Sequence, residues 1–201
     1  MTIKVLSALL TLVVLNGCIS TKVKDFTDPD YRTHVVKDIL IVTPSDEFDE
    51  ILIESFEDEG INAKVTRYGN VFLPTRRYGG EEIRNTLLEK GFDSIIYIQI
   101  AGEDSGSNIV GFMTNSNAQA YSSGYGYNVS GSSYSMPIVS HRRDTTSKAQ
   151  LFDVKNQRTV WVADLHTKAK GGFYVQDDDT MESISEEVVE SLMSKGHLIR
   201  K

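Results

Sequence analysis

Apolar positions in this chain fall into runs of different period, and each run predicts an element. The first is an unbroken stretch of apolar and small residues from Val5 to Leu15 behind Lys4. It is shorter than the roughly 20 residues a membrane-spanning helix needs, but it suits the central region of a secretory signal. Residues 19 to 36 are polar, and Asp28, Pro29, Asp30 and Tyr31 read as a turn, so a short irregular tether is predicted there. Ile39, Leu40, Ile41 and Val42 form a continuous run, the pattern of a strand covered on both faces, and Pro44 ends it. Ser45 or Asp46 then caps a helix with Phe48, Ile51, Leu52 and Phe56 on one face, and Gly60 closes it. Residues 61 to 68 alternate weakly and predict a strand near a sheet edge.

A loop from Tyr68 to Gly80 leads to a second helix, with Ile83, Leu87 and Leu88 inward and Gly91 as its stop. Ser94 to Ile100 is again nearly continuous and reads as a central strand. Residues 102 to 135 then change character: Gly, Ser, Asn and Tyr dominate, and a long loop is predicted. Order resumes near Pro137. Ala149, Leu151 and Asp153 alternate against Gln150, Phe152 and Val154, Lys155 to Arg158 turn, and Thr159 to Lys168 return as a hairpin partner. A last helix starts after Asp179 or Thr180, with Met181, Ile184, Val188 and Leu192 inward, and Gly196 ends it. The predicted class is α/β, with a mixed sheet and three helices in the order β, α, β, α, β, long loop, β, β, α, built as a two-layer or three-layer sandwich.

Composition narrows this. The chain has 201 residues and a net charge of -7, or -8 without residues 1 to 17, which hold Lys4. The 184 residues left without residues 1 to 17 are enough for one domain and short for two, and residues 37 to 201 read as a single α/β domain. The acidic balance argues against nucleic acid or anionic headgroups as partners, since both reward clustered Lys and Arg. One cysteine, Cys18, excludes an internal disulfide.

Leu15, Asn16, Gly17 and Cys18 close the first apolar run. Their order resembles the lipobox of bacterial lipoproteins. That resemblance implies cleavage between Gly17 and Cys18, a diacylglyceryl thioether on Cys18 and acylation of the new amino terminus, so that residues 1 to 17 are a signal peptide and 18 to 36 a lipidated tether. Several acyl chains give lasting attachment where one is marginal. Ile19 in place of an acidic residue implies the outer membrane, on its inner leaflet facing the periplasm. With the lipobox, the element order and the hairpin Leu151–Lys155 to Val160 and Trp161, the chain resembles a broad class of small bacterial lipoproteins. Their α/β fold is similar to the periplasmic domain of the curli-secretion lipoprotein and to the amino-terminal domain of the Tol-system translocation protein. The resemblance supplies no catalytic residue.

Candidate chemistry is thin. His34, His141, His166 and His197 are scattered without metal-ligand spacing. Asp164 and His166 share one face of a predicted strand, but two residues cannot define a zinc site and no third ligand is pointed to. Asp177, Asp178 and Asp179 precede a helix, where they offset its dipole. No nucleophile elbow and no phosphate-cradling glycine loop occurs. Arg76 and Arg77, beside Tyr78 and before Gly79 and Gly80, read either as an exposed loop pair or as an anion contact at a helix start. From Tyr121 to Val129 the chain alternates, with Tyr121, Tyr125, Tyr127 and Val129 against Ser122, Gly124, Gly126 and Asn128. Together with Tyr134 these tyrosines are the candidate partner contact, on a mobile loop or on a strand added when a partner docks. The expectation is a non-catalytic, lipid-anchored envelope module without cofactor, metal, small-molecule ligand or nucleic acid, which binds an envelope protein or itself. The alternatives are a subunit of an envelope secretion or transport assembly with an inserted β-hairpin, and an envelope hydrolase.

Overall fold

The computed structural model describes residues 18–73, 75–123, 126–171 and 176–201, with 115–134 described by backbone only. Six strands and three helices follow one another as β1 (Cys18–Thr27), β2 (Asp38–Val42), α1 (Asp46–Asp58), β3 (Lys64–Arg67), α2 (Gly80–Glu89), β4 (Ser94–Ser123), β5 (Gly126–Asp153), β6 (Arg158–Gly171) and α3 (Asp177–Ser194). Single 3-10 turns sit at Pro29–Tyr31 and Tyr68–Asn70. The strands form one mixed sheet in the order β1-β6-β5-β4-β2-β3. The chain is therefore α/β with a mixed sheet and three helices, as the patterning predicts. It divides into a body, residues 19–104, 143–169 and 176–201, and a second unit that includes residues 105–142.

In the body, β2 runs parallel to β3 on one side, pairing Ile39 with Val65, and to β4 on the other, pairing Leu40 with Ile95. Right-handed crossovers to opposite sides of one strand place their helices on opposite faces of the sheet. The side chains of β2 obey this. Ile39 and Ile41 enter a core with Phe48, Leu52 and Phe56 of α1, Ile184, Val188 and Leu192 of α3, and Leu151, Trp161 and Leu165 of the hairpin. Leu40 enters a smaller core on the other face with Leu87 of α2, Phe72, Phe92 and Val154. A continuous apolar run is what a strand covered on both faces requires. Each fully buried Leu, Ile or Phe contributes about 1.5–3 kcal/mol.

Local signals set the helix ends. Ser45 accepts the Phe48 N–H at 3.2 Å, as an N-cap does. The chain leaves α1, α2 and α3 through Gly60, Gly91 and Gly196, at φ of 62°, 85° and 78°. A side chain there would be strained. The third helix starts at Asp177, slightly earlier than expected, and its three aspartates occupy the first turn with Gln176 as N-cap.

Two expectations are corrected. Residues 18–27 of the presumed tether are strand β1, at the edge of the sheet. Asp28 donates its N–H to the Val160 carbonyl at 2.8 Å, and Thr21 meets Thr167 at 2.8 Å, so β1 and β6 run antiparallel. The inward positions of β1 are largely polar and hydrogen-bonded. Thr21 also meets Ser183 at 2.7 Å, Asp25 accepts from Ser191 and pairs with Lys195 at 3.0 Å, and Val23 packs into the main core. Such a strand carries no apolar alternation to read. The second correction concerns residues 102–135. The described ones, 102–123 and 126–135, are not a loop but parts of β4 and β5, which span 30 and 28 residues.

Candidate functional site

The long hairpin is the feature that the body's packing does not account for. The β2–β4 register covers Ser94 to Tyr97 only. Beyond it, residues of β4 find partners on β5: Thr114 meets Ser135 at 2.9 Å, and the Gly111 Cα faces the Ile138 side chain. This register sets Ile109, Met113, Met136 and Ile138 on one face of the ribbon, and Val110, Phe112 and Val139 on the other. Ile109, Val110, Phe112 and Met113 are each 61–66 % exposed, and Met136 is 51 % exposed. Contiguous exposed apolar surface of this kind marks an interaction site. Two-stranded ribbons are at best marginally stable alone in water, so added strands or a covering partner stabilise them.

Of the expected contact residues, Tyr121, Tyr127 and Tyr134 lie in β4 and β5, while Tyr125 lies outside the described residues. Gly17 also lies outside them. Cys18 is the first residue of β1, exposed and free. No helix among the described residues is long and apolar enough to cross a membrane. Arg76 and Arg77 are not brought together on an anion. Arg76 pairs with Glu82 of the α2 first turn and lies 4.7 Å from the Tyr78 ring, while Arg77 is exposed.

The remaining candidates are structurally occupied. Asp164 and His166 do share the outward face of β6, but each meets its cross-strand neighbour on β5, Lys148 at 3.7 Å and Thr146 at 3.5 Å. His197 is fully buried, with Nδ1 2.8 Å from the His34 carbonyl oxygen and Nε2 3.3 Å from the Thr27 hydroxyl, and burial pushes its imidazole pKa down. Among the described residues no His, Cys, Asp or Glu group is placed to hold a metal. Arg143 joins Glu103 to Asp177, tying the start of α3 to the sheet.

Two features were missed in the sequence. Asp49, in the first turn of α1, is 6 % exposed, and burial raises its carboxyl pKa against a 2.8 Å hydrogen bond from Thr43. Raised carboxyls attract attention as acids, but this one is held by Thr43, two residues before the α1 cap. The other feature is an open groove of about 590 Å³ between α1 and α3, lined by Glu47, Glu50, Glu54, Asp58, Glu182, Glu186 and other acidic groups. Asp178, Glu182, Glu186 and Glu190 recur every four residues, a like-charge ladder that destabilises a helix. Burial and the neighbouring carboxylates hold Glu186 above the usual range.

No family model matches the chain, and no curated protein matches it. Among solved structures, the chain is similar to the PelC dodecamer of Paraburkholderia phytofirmans, with a TM-score of 0.44 and 11% identity over 88% of this chain and 97% of that one. A second PelC dodecamer structure gives 0.43 and 10% over 88% and 98%. A PDZ domain protein of Parabacteroides distasonis gives 0.33 and 10% over 90% of this chain and 37% of that one. Likeness at these scores leaves function to be argued from the residues of this chain.

Proposed function

We propose that this protein is lipid-anchored through Cys18 to the inner leaflet of the outer membrane, faces the periplasm, and works by binding through its long hairpin without catalysis. One observation carries the reading: a 30-residue strand and its 28-residue partner hold Ile109, Val110, Phe112 and Met113 in water on both faces of a ribbon. A chain that buries Trp161, Leu52 and Ile39 fully has the means to cover such residues. Leaving four of them exposed on one element suits a surface that a protein partner covers. The aromatic residues further along the same strands, Tyr121, Tyr127 and Tyr134, extend a contact of the same chemistry.

The test is photo-crosslinking in intact cells from positions 112, 121 and 127, with Cys18→Ala as the control for anchoring. Discrete adducts with an envelope protein or a second copy, lost in the control, support the reading. A hairpin that crosslinks to nothing at all three positions overturns it.

The same ribbon favours a second reading, a subunit of a secretion or transport assembly. Two apolar faces and two long strands suit hairpins of several copies lying edge to edge. A ring-sized particle on detergent extraction supports this, and a strictly monomeric protein contradicts it. The hydrolase alternative would rest on Asp164 and His166, which meet Lys148 and the Thr146 hydroxyl across the strands.

A further inference from the structure

At the β1–β6 end of the sheet, charge is segregated between the two faces, which the net charge of the chain conceals. The helical layer carries the acidic groove of α1 and α3. The opposite side of the sheet, at β1 and β6, is uncovered and carries lysines. In β1 the exposed positions alternate as Cys18, Ser20, Lys22, Lys24 and Phe26. The antiparallel register set by Asp28 with Val160 and by Thr21 with Thr167 places Lys22 opposite His166, Lys24 opposite Asp164, and Phe26 opposite Val162. Lys168 is exposed on the same face of β6, while the buried positions Trp161, Ala163, Leu165 and Thr167 point to the helices. On β5, Lys148 pairs with Asp164 across the strands. Lys22, Lys24 and Lys168 form no ion pair among the described residues. Phe26 is 62 % exposed and Val162 36 %.

We infer that the outward face of β1 and β6 rests on a phospholipid surface with anionic headgroups, with Lys22, Lys24 and Lys168 on the headgroups and Phe26 at the interface. The inference rests on the lipid-anchored reading, because the strand begins at Cys18 with no spacer. A long flexible tether would let the domain turn freely. Here the anchored residue is already in the sheet, and its alternation puts Cys18, Lys22, Lys24 and Phe26 on one side of the strand. Lysines close to an anionic surface are attracted within a Debye length, and an aromatic ring favours the headgroup level. The acidic groove lies on the other face of the sheet, so repulsion from the same surface turns α1 and α3 outward. A second copy docking its acidic helices on this face is the competing occupant, but it leaves the position of Cys18 and the exposed Phe26 without a role.

The test uses the lipidated full-length protein, checked by intact mass for acyl chains on Cys18 and returned to vesicles of phosphatidylcholine with or without phosphatidylglycerol. A reporter thiol at Val162→Cys, with Glu186→Cys on α3 as the control, is alkylated by a bulky water-soluble maleimide. The expected result is several-fold slower alkylation at position 162 on the anionic vesicles, relieved by high salt and by the combined Lys22→Glu, Lys24→Glu and Lys168→Glu changes, with position 186 unaffected. Equal rates at 162 on both vesicle types, with acyl chains present, overturn the inference and leave the anchor intact. Protection at 162 that persists in detergent together with a dimer-sized particle assigns the face to a second copy and also overturns it. A mass without acyl chains instead removes the anchored reading.

Discussion

The body and the hairpin handle apolar side chains in opposite ways. The body places Trp161, Leu52, Ile96 and Val188 at 1 % exposure or less between α1, α3 and the sheet. The hairpin leaves Phe112 at 66 % and Met113 at 64 %. One region completes its own packing, and the other leaves side chains of the same kind exposed. The difference separates two roles that one sheet strand runs through: β4 begins at Ser94 among core residues and ends at Ser123 in the ribbon. On the proposed reading, fold stability belongs to the first stretch and binding to the second.

That contrast is broken or sharpened most strongly by truncation. Trp161→Ala is expected to cost about 3–5 kcal/mol in denaturant unfolding, because a cavity replaces a fully buried ring. Phe112→Ala is expected to move the same transition by no more than about 0.5 kcal/mol. A large loss at 112 means the ribbon is part of the core, and the division fails.

Next in size is the polar lock behind β1. His197→Ala removes a buried ring and its contacts with His34 and Thr27, and is expected to cost about 2–4 kcal/mol. Its pKa is lowered by burial, with the charges of His34 and Lys195 adding to that. The unfolded chain therefore binds the proton more readily than the folded one, so stability is full above the ordinary value near 6.5 and falls as pH drops below it. A pH titration of the unfolding free energy that is flat across that window in the native protein contradicts this assignment.

Asp25 gives a smaller effect further down the scale. Burial raises its carboxyl, but hydrogen bonds from Ser191 and Lys195 outweigh this and leave it below the ordinary value. Its contribution is present above the unfolded pKa and lost as pH falls through the lower folded one. Asp25→Asn is expected to cost about 1–3 kcal/mol at neutral pH by leaving a partly buried pair unmade. The smallest change has the opposite sign. Glu182→Gln and Glu186→Gln relieve like-charge pairs spaced four apart on α3, and each is expected to stabilise by about 0.2–0.5 kcal/mol. Raised carboxyls such as Glu186 also favour the folded state as pH falls, against the trend of His197.

The legible parts of the chain are those where burial writes a period. Ile39 to Val42 and the 149–168 hairpin were readable because aliphatic residues mark the covered faces, and Gly60, Gly91 and Gly196 were readable because each helix exit needs a positive φ. Strand β1 was not, since Thr21, Asp25 and Thr27 face inward through hydrogen bonds instead of apolar contact. The long hairpin was hidden by Gly, Ser and Asn, which lower strand propensity, and by Pro137 within β5. One visible sign was the alternation from Tyr121 to Val129, whose described residues fall at the end of β4 and the start of β5. At the candidate site, Cys18 is proposed from its neighbours in sequence alone. Ile109, Val110, Phe112 and Met113 could not be named that way, although an apolar island in a polar stretch was there to be noticed.

The most direct test of the division is amide hydrogen exchange, measured on the purified full-length protein and on the same protein in its native membrane fraction. The account predicts that amides of residues 105–123 and 126–142 become slower to exchange in the membrane fraction, while those of α1, α3 and β2 keep their rates. Unchanged exchange in the hairpin, with new protection over α1 and α3, would contradict it and move the contact to the acidic groove.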